Sequence, residues 1–118
     1  MSDNTVRIMV VAWKEDLRER YIKELEELGV QCDSVSSLDD LYNELFERSY
    51  HGLVLDSETM LRARESEKNM TMDIMEYFPV LRARVSGLDG EVLTSFYGQT
   101  EPQGPTLKEF AQDYCAQS

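Results

Sequence analysis

One histidine and two cysteines are all that 118 residues contain of the side chains that most often bind transition metals or act as nucleophiles near neutral pH. His51 has no cysteine, serine or carboxylate at a suggestive spacing and reads as a surface residue at the start of a strand. Cys32 and Cys115 stand far apart without CxxC spacing, which excludes a zinc site and a disulfide framework. Both are expected as small packing residues in a reduced, cytoplasmic chain. Glycine-rich phosphate loops of the GxGxxG or Walker type are also missing. No run approaches the roughly 20 apolar residues of a membrane helix. The opening MSDNTVR has neither the basic nor the apolar stretch of a secretion signal. Cations are scarce as well, 12 lysines and arginines against 23 acidic residues, for a formal charge of -11. That balance excludes nucleic acid and anionic lipid as the main partner, because both demand a basic footprint to displace counterions.

What is present is hydrophobic patterning, enough for one domain that buries roughly two-thirds of its unfolded surface. Val6 to Ala12 is a near-continuous apolar run rich in β-branched residues, as expected of a strand covered on both faces. Lys14 to Leu28 repeats apolar residues at helical spacing through Leu17, Tyr21, Leu25 and Leu28, and Gly29 stops it. Val30 to Val35 alternates like an edge strand. Ser37 can cap a second helix whose apolar face is Leu38, Leu41, Tyr42, Leu45 and Phe46, and "YHGLVLD" supplies a third strand ending on Asp56. Strand and helix alternating across short links predict right-handed crossovers and a parallel sheet.

The second half is less regular. Ser57 to Glu67 reads as a polar loop or frayed helix start, followed by a helix around Ser66 to Tyr77 with Met70, Ile74, Met75 and Tyr77 on its apolar side. Met60, Met70 and Met75 are expected in the core, with Met72 off the stripe. Pro79 opens a fourth strand, "PVLRARV", with Leu81, Ala83 and Val85 on one face and Val80, Arg82 and Arg84 on the other. Two arginines are hard to bury under a helix, so that face is expected to be open to water or to a partner. "SGLDGEV" is too short for a helical crossover and predicts a hairpin into "EVLTSFYG". After the loop "GQTEPQGP", Thr106 and Glu109 form a capping box for a last helix bearing Leu107, Phe110, Ala111, Tyr114 and Cys115 on one face.

The first fifty-six residues resemble a response-regulator receiver domain. "IMVVAWKEDLRERYIKELEELG" follows that family's strand, acidic turn and first helix, and "HGLVLD" resembles its third strand, which ends on the phosphate-accepting aspartate. The resemblance implies a carboxylate cluster holding magnesium beside that aspartate, with a hydroxyl and a lysine to read the phosphate. Here Ala12 and Trp13 occupy the acidic-pair positions, and neither can ligate magnesium. Asp56 matches the acceptor and Ser86 the hydroxyl, but "SFYG" ends the fifth strand without a lysine. Trp13 is expected to fill the former acidic pocket, and Asp56 to serve as a turn or helix cap.

"YFPVLRARV", "GEVLTSFYGQ" and "TLKEFAQDYC" are similar to a receiver-like domain found ahead of PilZ cyclic-di-GMP-binding domains in some bacterial proteins. PilZ domains hold the dinucleotide through RxxxR and [DN]xSxxG segments, and neither occurs here. The resemblance therefore implies a single domain, residues 1–118, corresponding to the amino-terminal module of such a protein. The expected fold is three-layer α/β, flavodoxin- or receiver-like, with strand order 2-1-3-4-5 and the last strand antiparallel. The expected function is a non-catalytic, cytoplasmic pseudo-receiver with no cofactor or metal. Its partner would be a protein, an adjacent PilZ domain or a second copy, bound through Arg82 and Arg84. The alternative is an atypical receiver phosphorylated on Asp56.

Overall fold

The apolar run ahead of Ala12 forms β1 (Arg7–Val11), and Ile8, Met9, Val10 and Val11 are all fully buried. Burial on both faces requires a layer on each side, and alternation sends Ile8 and Val10 to one core and Met9 and Val11 to the other. This computed structural model describes residues 6–47, 49–77, 79–86, 90–96 and 104–115, apart from the side chains at 46, 47 and 114. The turn expected at 87–89 and most of the loop at 98–103 lie outside the described residues, as do the side chains of Phe46 and Tyr114.

β2 (Gln31–Val35) and β3 (Gly52–Asp56) flank β1 in parallel, β4 (Val80–Val85) pairs in parallel with β3, and β5 (Val92–Phe96) pairs antiparallel with β4. The order β2-β1-β3-β4-β5 and the antiparallel last strand are those expected, and the architecture is flavodoxin-like. Tyr21 and Leu25 of α1 (Glu15–Glu26) pack on one face of the sheet together with Leu107, Phe110 and Cys115. On the other face, Leu38 and Leu41 of α2 (Leu38–Glu47), Met60 of α3 (Ser57–Leu61) and Ile74 of α4 (Glu65–Ile74) cover Met9, Val11, Leu53 and Leu55.

Local signals place the element ends. Gly29 follows α1 with φ 79°, a conformation that costs glycine little. Ser37 Oγ accepts the Asp40 amide at 3.2 Å and starts α2. Thr106 and Glu109 exchange side-chain and backbone hydrogen bonds, each 3.1 Å, at the start of α5 (Leu107–Glu109). α5 runs on as a π-helical turn over Phe110–Cys115. The incoming chain first crosses the outer edge of β5, where the Gly104 amide donates to the Thr94 carbonyl at 2.6 Å and the Thr94 hydroxyl donates to the Pro105 carbonyl. A Cβ at Gly104 would lie 2.8 Å from Ser95 Cα, so only glycine permits this approach, and part of an exposed sheet edge is covered by it.

The third helical region departs from expectation. Ser57–Leu61 is a helix rather than a loop or frayed start, because Asp56 caps it. The next helix stops at Ile74 and buries Thr71 and Ile74. Of the expected apolar face Ile74 is docked, whereas Met70, Met75 and Tyr77 stay 43%, 36% and 81% exposed. The chain leaves helical geometry ahead of Pro79, which disfavours helix in the preceding residue. The short helix then packs through its i, i+3 pair, and the Thr71 hydroxyl is satisfied by the Glu67 carbonyl at 2.9 Å. Met60 is buried as expected, and Met72, 60% exposed, lies off the stripe as expected.

Gly52 sits beneath the terminal helix. A Cβ there would fall 2.4 Å from Cys115 Sγ and 3.2 Å from two ring carbons of Phe110. Gly52→Ala should therefore lower unfolding free energy by about 1–3 kcal/mol, as overpacking commonly does. Urea denaturation measures this, and Gly52→Ala combined with Cys115→Ala should recover part of the loss.

Candidate functional site at the strand ends

Asp56 closes β3 with its side chain on the α1 face, opposite the small Ala83 of β4, and is 1% exposed. A carboxylate so placed needs donors, because desolvation of the charge is otherwise prohibitive. Three are supplied. Tyr21 Oη donates to Oδ1 at 2.5 Å, and the Thr59 amide and hydroxyl each donate to Oδ2 at 3.0 Å. Asp56 is thus the N-cap of α3. Thr59 Oγ1 in turn accepts the Trp13 amide at 2.9 Å. One carboxylate joins β3, α1, α3 and the end of β1. Burial, with the hydrogen bond to Asp56 second, raises the Tyr21 phenol above its ordinary range, so it stays a donor.

Ala12 is buried and Trp13 half-buried at the positions where the receiver resemblance looks for acids. Among the described residues no three His, Cys, Asp or Glu side chains converge where a metal could be held. Ser86 lies one residue past β4, where its amide donates to the Glu91 carbonyl at 2.8 Å in the hairpin. The Trp13 ring is stacked by the Arg62 guanidinium, 3.8 Å from its centroid, and approached by Lys14 Nζ at 4.7 Å. With both cations exposed, each contact is worth about 0.5–1 kcal/mol. Against them, Trp13 Nε1 is shut off from solvent with no acceptor among the described residues, at a cost of about 1–3 kcal/mol. Beside the ring is a cleft of about 100 Å³ lined by Trp13, Ser36, Ser37, Thr59, Arg62 and Glu67, among others. It has room for about three waters.

Arg82 and Arg84 are not part of this arrangement. Register sets Arg82 opposite Leu55 and Ser95, and Arg84 opposite Leu93, on the sheet face away from Asp56. Arg82 donates to Ser95 Oγ from Nε at 3.2 Å and Nη2 at 3.1 Å. Arg84 is exposed with no partner among the described residues. Among the described residues, Val80 is the β4 member of the apolar core on that face and no β5 residue joins it, so the helix layer thins out beyond Val80. His51 is exposed and its Nδ1 accepts the Arg7 amide at 3.1 Å. Burial pushes both Cys32 and Cys115 up to about 12.

Sequence reasoning located Asp56 and Trp13 but missed Tyr21, Thr59 and Arg62. The spacing from Asp56 to Thr59 is an N-cap signal that could have revealed Thr59. Tyr21 looks like any member of the α1 stripe, and nothing local marks Arg62. No protein-family model and no curated protein matches this chain. What defines its class is the fold, a flavodoxin-like α/β domain whose strand-end carboxylate is consumed as a buried cap. No helix among the described residues is long and apolar enough to cross a membrane.

Asp56→Ala removes a cap, about 0.5–2 kcal/mol, and orphans the Tyr21 hydroxyl, about 1–3 kcal/mol. A loss of about 2–4 kcal/mol is expected by urea denaturation, with Tyr21→Phe milder because the Thr59 donors remain. The thiols are neutral in the fold, and unfolding would return them to a pKa near 9. Their contribution to stability is full below pH 9 and is lost as pH rises toward 12. The unfolding free energy measured in reductant should decline less steeply across that window for Cys32→Ala/Cys115→Ala than for wild type.

Proposed function

We propose that this chain is a non-catalytic regulatory module, a pseudo-receiver that acts through protein contacts rather than phosphate chemistry. The observation that carries this reading is the condition of Asp56, which is buried with both oxygens engaged by Tyr21 and Thr59. A phosphoryl acceptor needs an accessible carboxylate oxygen and a cation to neutralise incoming charge, and Ala12 and Trp13 provide no ligand for one. The similarity to domains that precede PilZ domains supports an adjacent PilZ domain as partner, which ties the module to cyclic-di-GMP signalling through its neighbour. The outer face of β4 and β5 is the surface suited to contact. There, half-buried Arg82 and exposed Arg84 present cations on a chain of net charge -11, which fits a partner with acidic contact residues. A second copy is the other arrangement of this kind, and the cytoplasm is the compartment it implies.

Titrating beryllofluoride and magnesium into ¹⁵N-labelled protein tests the phosphate side, and no saturable shift is expected around Asp56. A saturable shift there would establish the rival, a receiver phosphorylated on Asp56. The contact side is tested by adding an isolated PilZ domain and mapping shifts. Those at Arg82, Arg84 and Leu93 should dominate, and Arg82→Glu/Arg84→Glu should weaken binding at least about tenfold, or 1.4 kcal/mol.

A further inference from the structure

The indole N–H of Trp13 is buried and has no acceptor among the described residues. Trp13 lies in the bend between β1 and α1 rather than in either element, so a change of side-chain rotamer breaks no helix or ladder hydrogen bond. Two opposed effects act on the ring. The unpartnered buried Nε1 favours release to water, and the Arg62 and Lys14 contacts favour retention. Burial of the ring's apolar surface adds to retention, so the stacked position is the resting one. Directly beside the ring is the cleft toward Ser36 and Ser37.

We propose that the Trp13 side chain is a latch over the strand ends, exchanging between the stacked position and an open one in which Nε1 reaches solvent. Arg62, in the turn after α3, is the catch. Its guanidinium lies on the ring and makes no ion pair among the described residues. A carboxylate from a binding partner that captured Arg62 would remove the stacking contact while leaving the unmet N–H, and so shift the latch open. The backbone beneath the latch stays anchored, because the Trp13 amide is held by the Thr59 hydroxyl, which itself donates to Asp56. The inference does not depend on whether the partner is a PilZ domain.

Trp13 is the sole tryptophan, so intrinsic emission reports this residue alone. Acrylamide, a neutral quencher, measures its accessibility. Arg62→Ala, a substitution at an exposed turn residue, should raise the quenching constant about two- to fivefold, the factor equivalent to one exposed cation–π contact. Water exchange of the single indole N–H, read by NMR, should accelerate by a similar factor. Lys14→Ala should act in the same direction. An unchanged quenching constant together with slow indole exchange in Arg62→Ala would overturn the latch, since the ring would then be held by packing alone. Unfolding as the cause of a rise is excluded by unchanged far-UV circular dichroism and thermal midpoint in the same variant.

Discussion

A carboxylate cannot be sealed inside a sheet unless donors surround it, and Asp56 shows how far one such requirement reaches. Its position at the end of β3 is set by backbone pairing on both sides. Its charge then demands that α1 present Tyr21, that α3 begin at once so that the Thr59 amide is free to donate, and that the residue alongside in β4 be small. The Thr59 hydroxyl carries the connection to Trp13. The upper end of the domain is held by a polar network as much as by packing, and each member is buried or half-buried. Networks of this kind are rigid when complete and costly when broken.

The same arrangement fixes what surrounds the carboxylate. Reactive chemistry on a carboxylate requires an exposed oxygen and a neighbouring cation. Here the oxygens face inward, and the nearby cations, Arg62 and Lys14, are turned onto the Trp13 ring. What the top of the sheet gives up in chemistry it keeps as structure. Among the described residues, the indole N–H is the buried side-chain donor there without an acceptor. On the opposite flank the helix layer thins beyond Val80, and the arginines whose spacing kept that face from being apolar are the groups left beside it. Arg82 and Arg84 are thus on a different face of the sheet from Asp56.

Most of the fold was legible because its determinants are local. A run of β-branched residues, a stripe at helical spacing, Gly29 as a stop, Ser37 and Thr106 as caps, and a turn too short for a crossover each act within a few residues. Together they left little freedom in strand order. The helix after β3 was read less well. Met70, Ile74, Met75 and Tyr77 form an apolar pattern that looks like a core face, yet of these Ile74 docks, beside Thr71, while the others stay exposed. A pattern says which residues can be buried, and the length and position of the helix decide which are.

The candidate site divides along the same line. Sequence alone determined that a carboxylate would end the third strand, that no acid pair would stand at the end of the first, and that two arginines would share a face of the fourth. Each follows from residue identity and a period of two. Only the tertiary structure decided that Tyr21 would reach Asp56 across 35 residues, that Arg62 would lie on Trp13, and that Gly52 would pass under Phe110 and Cys115. Those contacts join residues distant in the chain, and their geometry exists only once the sheet has set how far apart the helices lie.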